Sequence, residues 1–286
     1  MTEQLGLSLF KYAFWIYLVS AACYLVALVG SQTRLARVGR VLLVAGLAVH
    51  TASITIIAIV IGRLPLLNLY EYMLSFTWAA VVVYLAVELF TRNSSLGGFS
   101  VPLISAFALF TMRLPNAKID YSVMPALQSA WRTPHIVSGI LAYGASMVAF
   151  VLAVMYLLRE NADRRAQADP KSQSRSFWAS RLPVAKVLDR TIYRTVAFGF
   201  LMQTLLVVIG AVWAQIAWGR YWGWDPKETW SLITWLIYAT YLHTHTMMGW
   251  RGRRSAWLAI IGFGATIFTF LGVTYFFHGL HSYATG

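Results

Sequence analysis

Five of the chain's twelve tryptophans fall within the eighteen residues from Trp213 to Trp230, which read WAQIAWGRYWGWDPKETW. Tryptophan is common where a membrane helix ends. That preference does not explain three tryptophans and a tyrosine packed around glycines between residues 218 and 224. Indole faces on a flexible backbone suit a flat, apolar ligand. From this segment alone, two interpretations stay open: a ligand site, and an aromatic belt at the membrane interface.

Two histidines flank this segment in the sequence. His135 follows Trp131 and Pro134, and His281 lies in the segment GLHSY at residues 279–283. Neutral imidazoles above and below a haem macrocycle fill both axial positions of the iron. Either histidine alone is also typical of a polar residue at a membrane interface, so it is the neighbouring tryptophans that favour haem ligation.

The four other histidines have different predicted roles. His243 and His245 are two residues apart and face different sides of one helix; one is a candidate inner haem ligand and the other is expected at the inner interface. His50 is expected to bind a buried carbonyl or hydroxyl. His278 is close enough to His281 to compete for its role.

Asp225, Pro226 and Glu228 have the types and spacing of a helix start. An aspartate N-cap, a proline at the first helical position and a glutamate at the third are the capping-box pattern. We therefore expect Asp225 to begin a helix, whether or not it also orders the tryptophan-rich segment.

The overall composition indicates that these residues sit in a membrane protein. Of the 286 residues, 59% are hydrophobic and 12% are charged, whereas a soluble domain holds about 25% charged residues. The mean hydropathy is +0.63. Because Cys23 is the single cysteine, an internal disulfide, a CxxC redox motif and a thiolate zinc site are excluded.

Apolar windows long enough to cross the ~30 Å hydrocarbon core recur along the chain. They predict an all-α polytopic helical bundle forming a single membrane domain, 1–286, with about eight transmembrane helices. The predicted spans are residues 10–30, 41–61, 69–90, 96–112, 135–158, 196–218, 229–249 and 256–277. The fourth is the shortest and contains Pro102.

The basic residues predict the orientation of the chain. With eight spans, sixteen of the 23 Lys and Arg lie on loops of one side, which the positive-inside rule makes cytoplasmic. Both termini and the tryptophan-rich loop, 218–228, are then on the outer side. Residues 159–195 form a cytoplasmic loop, expected to hold a surface helix. The net charge of +13 is thus a topology signal, and no nucleic-acid partner is expected.

Several segments together resemble one known family. They are residues 210–214 (GAVWA), 218–230, 234–235 (TW), 241–244 (YLHT) and 279–283, extended by 65–71 and 126–135. This pattern is similar to that of the CcsA family, also called ResC, the haem-handling subunits of system II cytochrome c synthases with a tryptophan-rich (WWD) loop. The resemblance covers most of the chain from about residue 60 onward.

The resemblance implies a role in cytochrome c biogenesis. Haem b, bound as a substrate with its iron reduced, would cross the membrane to an outer site made by Trp218, Trp222, Trp224 and Asp225. His135 and His281 would be the outer iron ligands, and His243 an inner one. Implied partners are a CcsB/ResB-type membrane subunit, apocytochrome c with its CxxCH motif, and thiol-reducing proteins. The implied location is a bacterial inner membrane or a thylakoid membrane, with the haem site on the extracytoplasmic side.

The resemblance makes the chain a subunit of a haem lyase complex, yet the sequence contains no evident nucleophile or acid/base dyad. Arg132, Arg220 and Lys227 are the basic residues nearest the outer site, and they are candidates to pair with the haem propionates or simply to reach the interface. Two other functions stay open. One is CcmC-like delivery of haem to a chaperone, and the other is electron transfer by a b-type membrane cytochrome.

Overall fold

The computed structural model of the chain describes residues 3–114, 128–168 and 176–277. All regular secondary structure in these ranges is helical, which confirms the all-α prediction. The helices are α1 (Glu3–Gly30), α2 (Thr33–Ile61), α3 (Leu69–Thr91), α4 (Gly97–Arg113), α5 (Arg132–Ala168), α6 (Phe177–Arg181), α7 (Ala185–Trp218), α8 (Pro226–Met247), α9 (Arg253–Ile267) and α10 (Val273–Phe276).

Seven of the described helical segments are long and apolar enough to cross a membrane. They coincide with seven of the eight predicted spans to within one residue of each span's ends or extend beyond them, including the short one at Pro102, so the chain is a polytopic helical membrane protein. The exception is α8, which covers the predicted span 229–249 up to Met247 and is not among the seven. Its buried face is largely polar and consists of Thr234, Tyr238, Tyr241, Thr244 and His245.

Several helices extend well beyond the apolar windows that predicted them. Helix α5 has 37 residues, about 55 Å at ~1.5 Å per residue, and continues ten residues into the predicted loop 159–195. Helix α6 and the start of α7 occupy much of the rest of that segment. The predicted spans are shorter because hydropathy marks the length of a helix inside lipid, whereas backbone hydrogen bonding continues beyond it.

Helix α5 packs against α3, α7 and α9, and α1 packs against α2 and α4. One apolar core extends from Phe10 in α1 to Phe263 in α9. Gly144 allows α5 to approach α3 closely, because a Cβ atom there would lie 3.2 Å from the backbone nitrogen of Ala80.

Both ends of α3 carry a fully buried glutamate paired with an arginine. Near its first turn, Arg63 donates to both carboxylate oxygens of Glu71, at 2.7 and 3.0 Å. At the other end, Arg40 donates from two nitrogens to Glu88, each at 3.1 Å, and the Tyr24 hydroxyl donates at 2.7 Å. Buried charges are stable only when paired in this way.

Between α9 and α10 the chain makes one turn of π-helix, Phe268–Gly272. The hydroxyl of Thr269 in this turn donates 3.2 Å to the carbonyl of Trp230 and lies 2.9 Å from the hydroxyl of Thr234. The π-turn is therefore bonded directly to α8. Such single turns often mark functional sites.

Candidate functional site

A cavity of about 140 Å³ opens at the end of the bundle where α5 and α8 begin and α7 ends. Its wall is mostly aromatic and apolar, with a few polar groups, which is the usual make-up of a small-molecule site. The predicted site residues His135, Trp218 and Trp222 all line it. Other lining side chains include Tyr72, Tyr143, Trp213, Tyr221, Lys227, Glu228 and Phe270.

His135 is fixed in the cavity wall by a hydrogen bond to the neighbouring helix. Its Nδ1 lies 2.8 Å from the carbonyl oxygen of Leu206 in α7. A carbonyl oxygen only accepts, so Nδ1 carries the proton and Nε2 carries the lone pair. Donation from one ring nitrogen to a backbone carbonyl is how proteins orient a histidine whose other nitrogen binds a metal.

Two residues of α7 shape the surroundings of this imidazole. A Cβ atom on Gly210 would lie 2.7 Å from Cε1 and 2.8 Å from Nδ1 of His135, so only glycine leaves room for the ring. Trp213 is 2% exposed, and its ring centre lies 5.4 Å from that of His135 and 6.0 Å from that of Trp218. The imidazole and two indoles thus form a continuous aromatic wall.

The tryptophan-rich loop begins where α7 stops. Gly219 ends the helix in the left-handed conformation, with φ +74°, and its N–H donates 3.0 Å to the carbonyl of Gln215. Glycine adopts this conformation without steric cost. The turn leaves Trp218 on the last residue of the helix, directed at the cavity that His135 also lines.

Trp222 and Trp224 contact each other edge to face, with ring centres 5.9 Å apart and an interplanar angle of 88°. Trp222 lines the cavity, whereas Trp224 is not part of its wall and is 69% exposed. Trp224 also has a left-handed backbone, φ +56°, which is uncommon for a residue with a side chain. Its indole is therefore displayed at the rim.

The start of α8 confirms the predicted capping box. The Asp225 carboxylate accepts from the Lys227 N–H at 3.0 Å, and the Glu228 carboxylate accepts from the Asp225 N–H at 3.1 Å. Asp225 is 7% exposed. Its observed role is to cap the helix that follows the loop.

Three basic residues stand near this cavity in different environments. Lys227 lines the cavity, and burial lowers its pKa to about 8, against the opposing effect of the Asp225 carboxylate. Arg220 is exposed, with its guanidinium lying over Gly223. Arg132 is buried in the first turn of α5. Lys227 is thus the cation that faces the cavity interior.

The deeper histidines lie apart from the cavity. His243 is exposed and lies about 25 Å along α8 from Pro226 at ~1.5 Å per residue. His245 is buried, 3.4 Å from an Asp189 carboxylate oxygen, and stacks on Tyr193. His50 is fully buried with its Nδ1 3.1 Å from the Tyr17 hydroxyl, which confirms its predicted hydroxyl partner. The predicted ligand His281 and its competitor His278 lie outside the described residues.

Some features of this site do not follow from the sequence patterns. The Leu206 carbonyl and Tyr143 come from interior turns of long helices, where spacing alone does not show which turns will meet. Gly210 belongs to the segment 210–214, three residues before Trp213. A glycine at that position was the sequence feature that could have indicated a close approach of another side chain to α7. Among residues 3–114, 128–168 and 176–277, no three His, Cys, Asp or Glu side chains cluster as a metal site.

Known proteins of similar sequence and fold point to one family. A family model described as "Cytochrome C assembly protein" matches residues 66–281, which include the cavity, the loop and the deeper histidines of α8. A solved structure named "Cytochrome c Heme Lyase CcmF" shares the fold with a TM-score of 0.69 and 19% identity. That match covers 95% of this chain and 47% of the other.

Curated relatives match this chain over most of their length. Three proteins named "Cytochrome c biogenesis protein CcsA" are similar: those of Trieres chinensis (36% identity, 79% of each chain), Gloeobacter violaceus (35%, 77% of this chain and 78% of the relative) and Mesostigma viride (36%, 77% of each). With the family model, these matches show that the chain belongs to the CcsA family of cytochrome c biogenesis proteins.

Proposed function

We propose that this chain conveys haem across the membrane and presents it on the outer face for attachment to apocytochrome c. The observation that carries the proposal is the hydrogen bond from His135 Nδ1 to the Leu206 carbonyl, at 2.8 Å. It makes Nε2 the lone-pair nitrogen of a side chain that lines a cavity walled by Trp213, Trp218 and Trp222. An oriented imidazole beside clustered indoles suits a flat macrocycle with a central metal.

The chemistry of attachment needs little from this chain beyond orientation. A cysteine thiol of the CxxCH motif adds across a haem vinyl group, with sulfur bonding to one carbon and the proton going to the other. No redox co-reactant enters this addition, and the iron is expected to be in its reduced state. Holding two reactants in register contributes several kcal/mol, up to roughly 7–11. His135 would set the position of the haem b substrate, and His281 is its proposed partner on the second axial side.

The propionates of haem give the basic residues a role. Lys227 faces the cavity, and its pKa of about 8 keeps it largely protonated at neutral pH. A carboxylate bound beside it would restore its pKa toward the usual value. Arg220, exposed on the loop, and Arg132, at the start of α5, are further candidates to pair with the two propionates.

His243 supports a second part of the proposal, a membrane partner. An ionisable side chain exposed on a membrane helix is costly in lipid and normally faces protein or water. His243 shares its outward face with Leu236, Thr240 and Met247, at spacings of three and four residues. We propose that a CcsB/ResB-type subunit covers this face, and that His243 ligates haem there on its way outward.

Two alternatives are less well supported. A b-type electron-transfer cytochrome requires paired histidines on facing helices, but His50 is bonded to Tyr17 and His243 faces outward. Delivery of haem to a chaperone, as in CcmC-like proteins, would use the same cavity. It differs in its product, because no thioether forms on this protein or its partner.

The test is co-expression of the chain with a CcsB-type subunit and a CxxCH apocytochrome, followed by measurement of covalent haem. We expect product from wild type, and loss of both bound haem and product from the double variant His135→Ala, His281→Ala. Trp222→Ala should lower both, whereas Trp257→Ala, on the exposed face of α9, is the matched control. Retention of wild-type haem by the double histidine variant would contradict the ligation scheme. Bound haem without covalent product in wild type would favour the alternatives.

A further inference from the structure

Glu228 does more than complete the cap of α8. Its Oε2 atom accepts two backbone hydrogen bonds from the tryptophan-rich loop, from the Gly223 N–H at 2.8 Å and from the Asp225 N–H at 3.1 Å. An ordinary capping box accounts for the second of these bonds only. The first reaches back across Trp224 to the residue that follows Trp222.

The residue between those two donors has an unusual backbone. Trp224 is left-handed, with φ +56°, a conformation that is strained for a residue with a Cβ atom. A conformation of this kind persists only where its surroundings enforce it. A single carboxylate oxygen accepts hydrogen bonds on both sides of Trp224, so it is part of the surroundings that hold this turn.

This turn fixes the relation between the two indoles. Trp222 lines the cavity and Trp224 stands at its rim, with their rings at 88° and 5.9 Å. If Trp224 relaxed to a right-handed backbone, its indole would leave Trp222 and the rim would lose its shape. Glu228 also lines the cavity. Its side chain connects the first turn of α8 to the loop, so the length of that side chain sets the distance between them.

We infer that Glu228 is a positioning residue, whose carboxylate holds Trp224 in the left-handed turn and thereby sets the angle at which the loop meets a flat ligand. The inference rests on the proposed function for the identity of that ligand, haem. The Glu228 side chain acts by accepting hydrogen bonds from two N–H groups at a fixed distance from its own backbone. Its effect on the loop therefore depends on the length of the side chain and not on its charge.

Two conservative variants separate reach from charge. Glu228→Gln keeps the length and an oxygen acceptor but loses the charge, whereas Glu228→Asp keeps the charge but is one methylene shorter. In the ligand-free protein, hydrogen–deuterium exchange should show faster exchange of the amides of residues 223 and 225 in Glu228→Asp and little change in Glu228→Gln. This measurement does not depend on haem.

The second measurement is haem affinity of the purified full chain. We expect Glu228→Asp to bind haem about tenfold more weakly than wild type, or ~1.4 kcal/mol, and Glu228→Gln to recover most of the difference. Equal affinity of Glu228→Asp and wild type would overturn the inference, as would a Glu228→Gln variant as weak as Glu228→Asp. Wild-type protein that binds no haem would instead count against the proposed function, while the exchange result would still test the turn.

Discussion

The absence of a side chain at Gly210 is what allows the imidazole of His135 to reach the Leu206 carbonyl. We predict that Gly210→Ala displaces the ring, because the new methyl would lie 2.7 Å from Cε1. Haem affinity should fall about tenfold while the helical content stays unchanged. Spectral titration of the purified variant with haem measures the effect.

Gly264 in α9 supplies the matched control for this substitution. A Cβ atom there meets nothing within 4 Å, and alanine inside a helix is more stable than glycine by about 0.5–1 kcal/mol. Gly264→Ala should therefore bind haem like wild type and unfold at the same or a higher temperature. Equal loss of haem in both variants would point to a general effect of alanine rather than to His135.

The lowered pKa of Lys227 predicts how the affinity for a ligand with carboxylates changes with pH. Burial lowers the pKa of its ammonium to about 8, so the unliganded protein carries this charge below that pH and loses it above. Affinity for haem should therefore weaken as the pH rises through about 8. Haem dimethyl ester, which has no carboxylates, should show no such step, and neither should haem with the Lys227→Met variant. A step of equal size for haem and its ester would contradict this role.

At the scale of helices, α3 depends on the buried carboxylates at its two ends. Glu71→Ala would leave the partly buried Arg63 guanidinium without its bidentate partner, and the Leu67 N–H, which donates 2.7 Å to Glu71, without that acceptor. Removal of one member of a buried pair costs about 3–5 kcal/mol. The thermal unfolding midpoint in detergent should fall clearly.

An exposed ion pair on α5 is the control for the buried pair of Arg63 and Glu71. Arg164 is 63% exposed and pairs with Glu160 one turn earlier on α5, a type of pair that contributes about 0.3–0.5 kcal/mol. Arg164→Ala should leave the unfolding midpoint almost unchanged. If the two variants shifted the midpoint equally, burial of Glu71 would not be the source of the effect.

Local patterns made some of the helical structure predictable. Asp225, Pro226 and Glu228 are adjacent, so their capping box was visible in the sequence, and the apolar windows located seven helices. The polar buried face of α8 and the hydrogen bond from the Gly223 N–H to Glu228 were not visible. The first depends on which neighbours cover the helix, and the second depends on a loop conformation that single residues do not encode.

At the scale of the whole molecule, the outward face of α8 predicts where a second subunit binds. A photo-crosslinking amino acid at Thr240, next to His243 on that face, should form a product with a co-expressed CcsB-type subunit. The same amino acid at Val44, which is 51% exposed on α2, should not. Crosslinking from Val44 alone would place the partner on the other side of the bundle.

The positions of the site residues along the chain also explain why the sequence alone did not predict how they contact each other. His135 and Leu206 are 71 residues apart, and their contact exists only because α5 and α7 pack with one particular axial offset. The motif around residues 218–230 indicated the chemistry, since its tryptophans are close in sequence. The packing of long helices decided which imidazole nitrogen would lie against the Leu206 carbonyl.

The π-turn at Phe268–Gly272 has a consequence for how this protein tolerates changes in length. A π-turn holds one residue more than the α-helical turn it replaces, and each residue rotates a helix by about 100°. Deletion of one residue here would convert the turn to a regular α-helical turn and leave the later side chains on the same faces, whereas a deletion in the regular part of α9 would rotate them by about 100°. Natural variants and engineered fusions are therefore expected to accept a single deletion inside this turn more readily than one in the regular turns of α9.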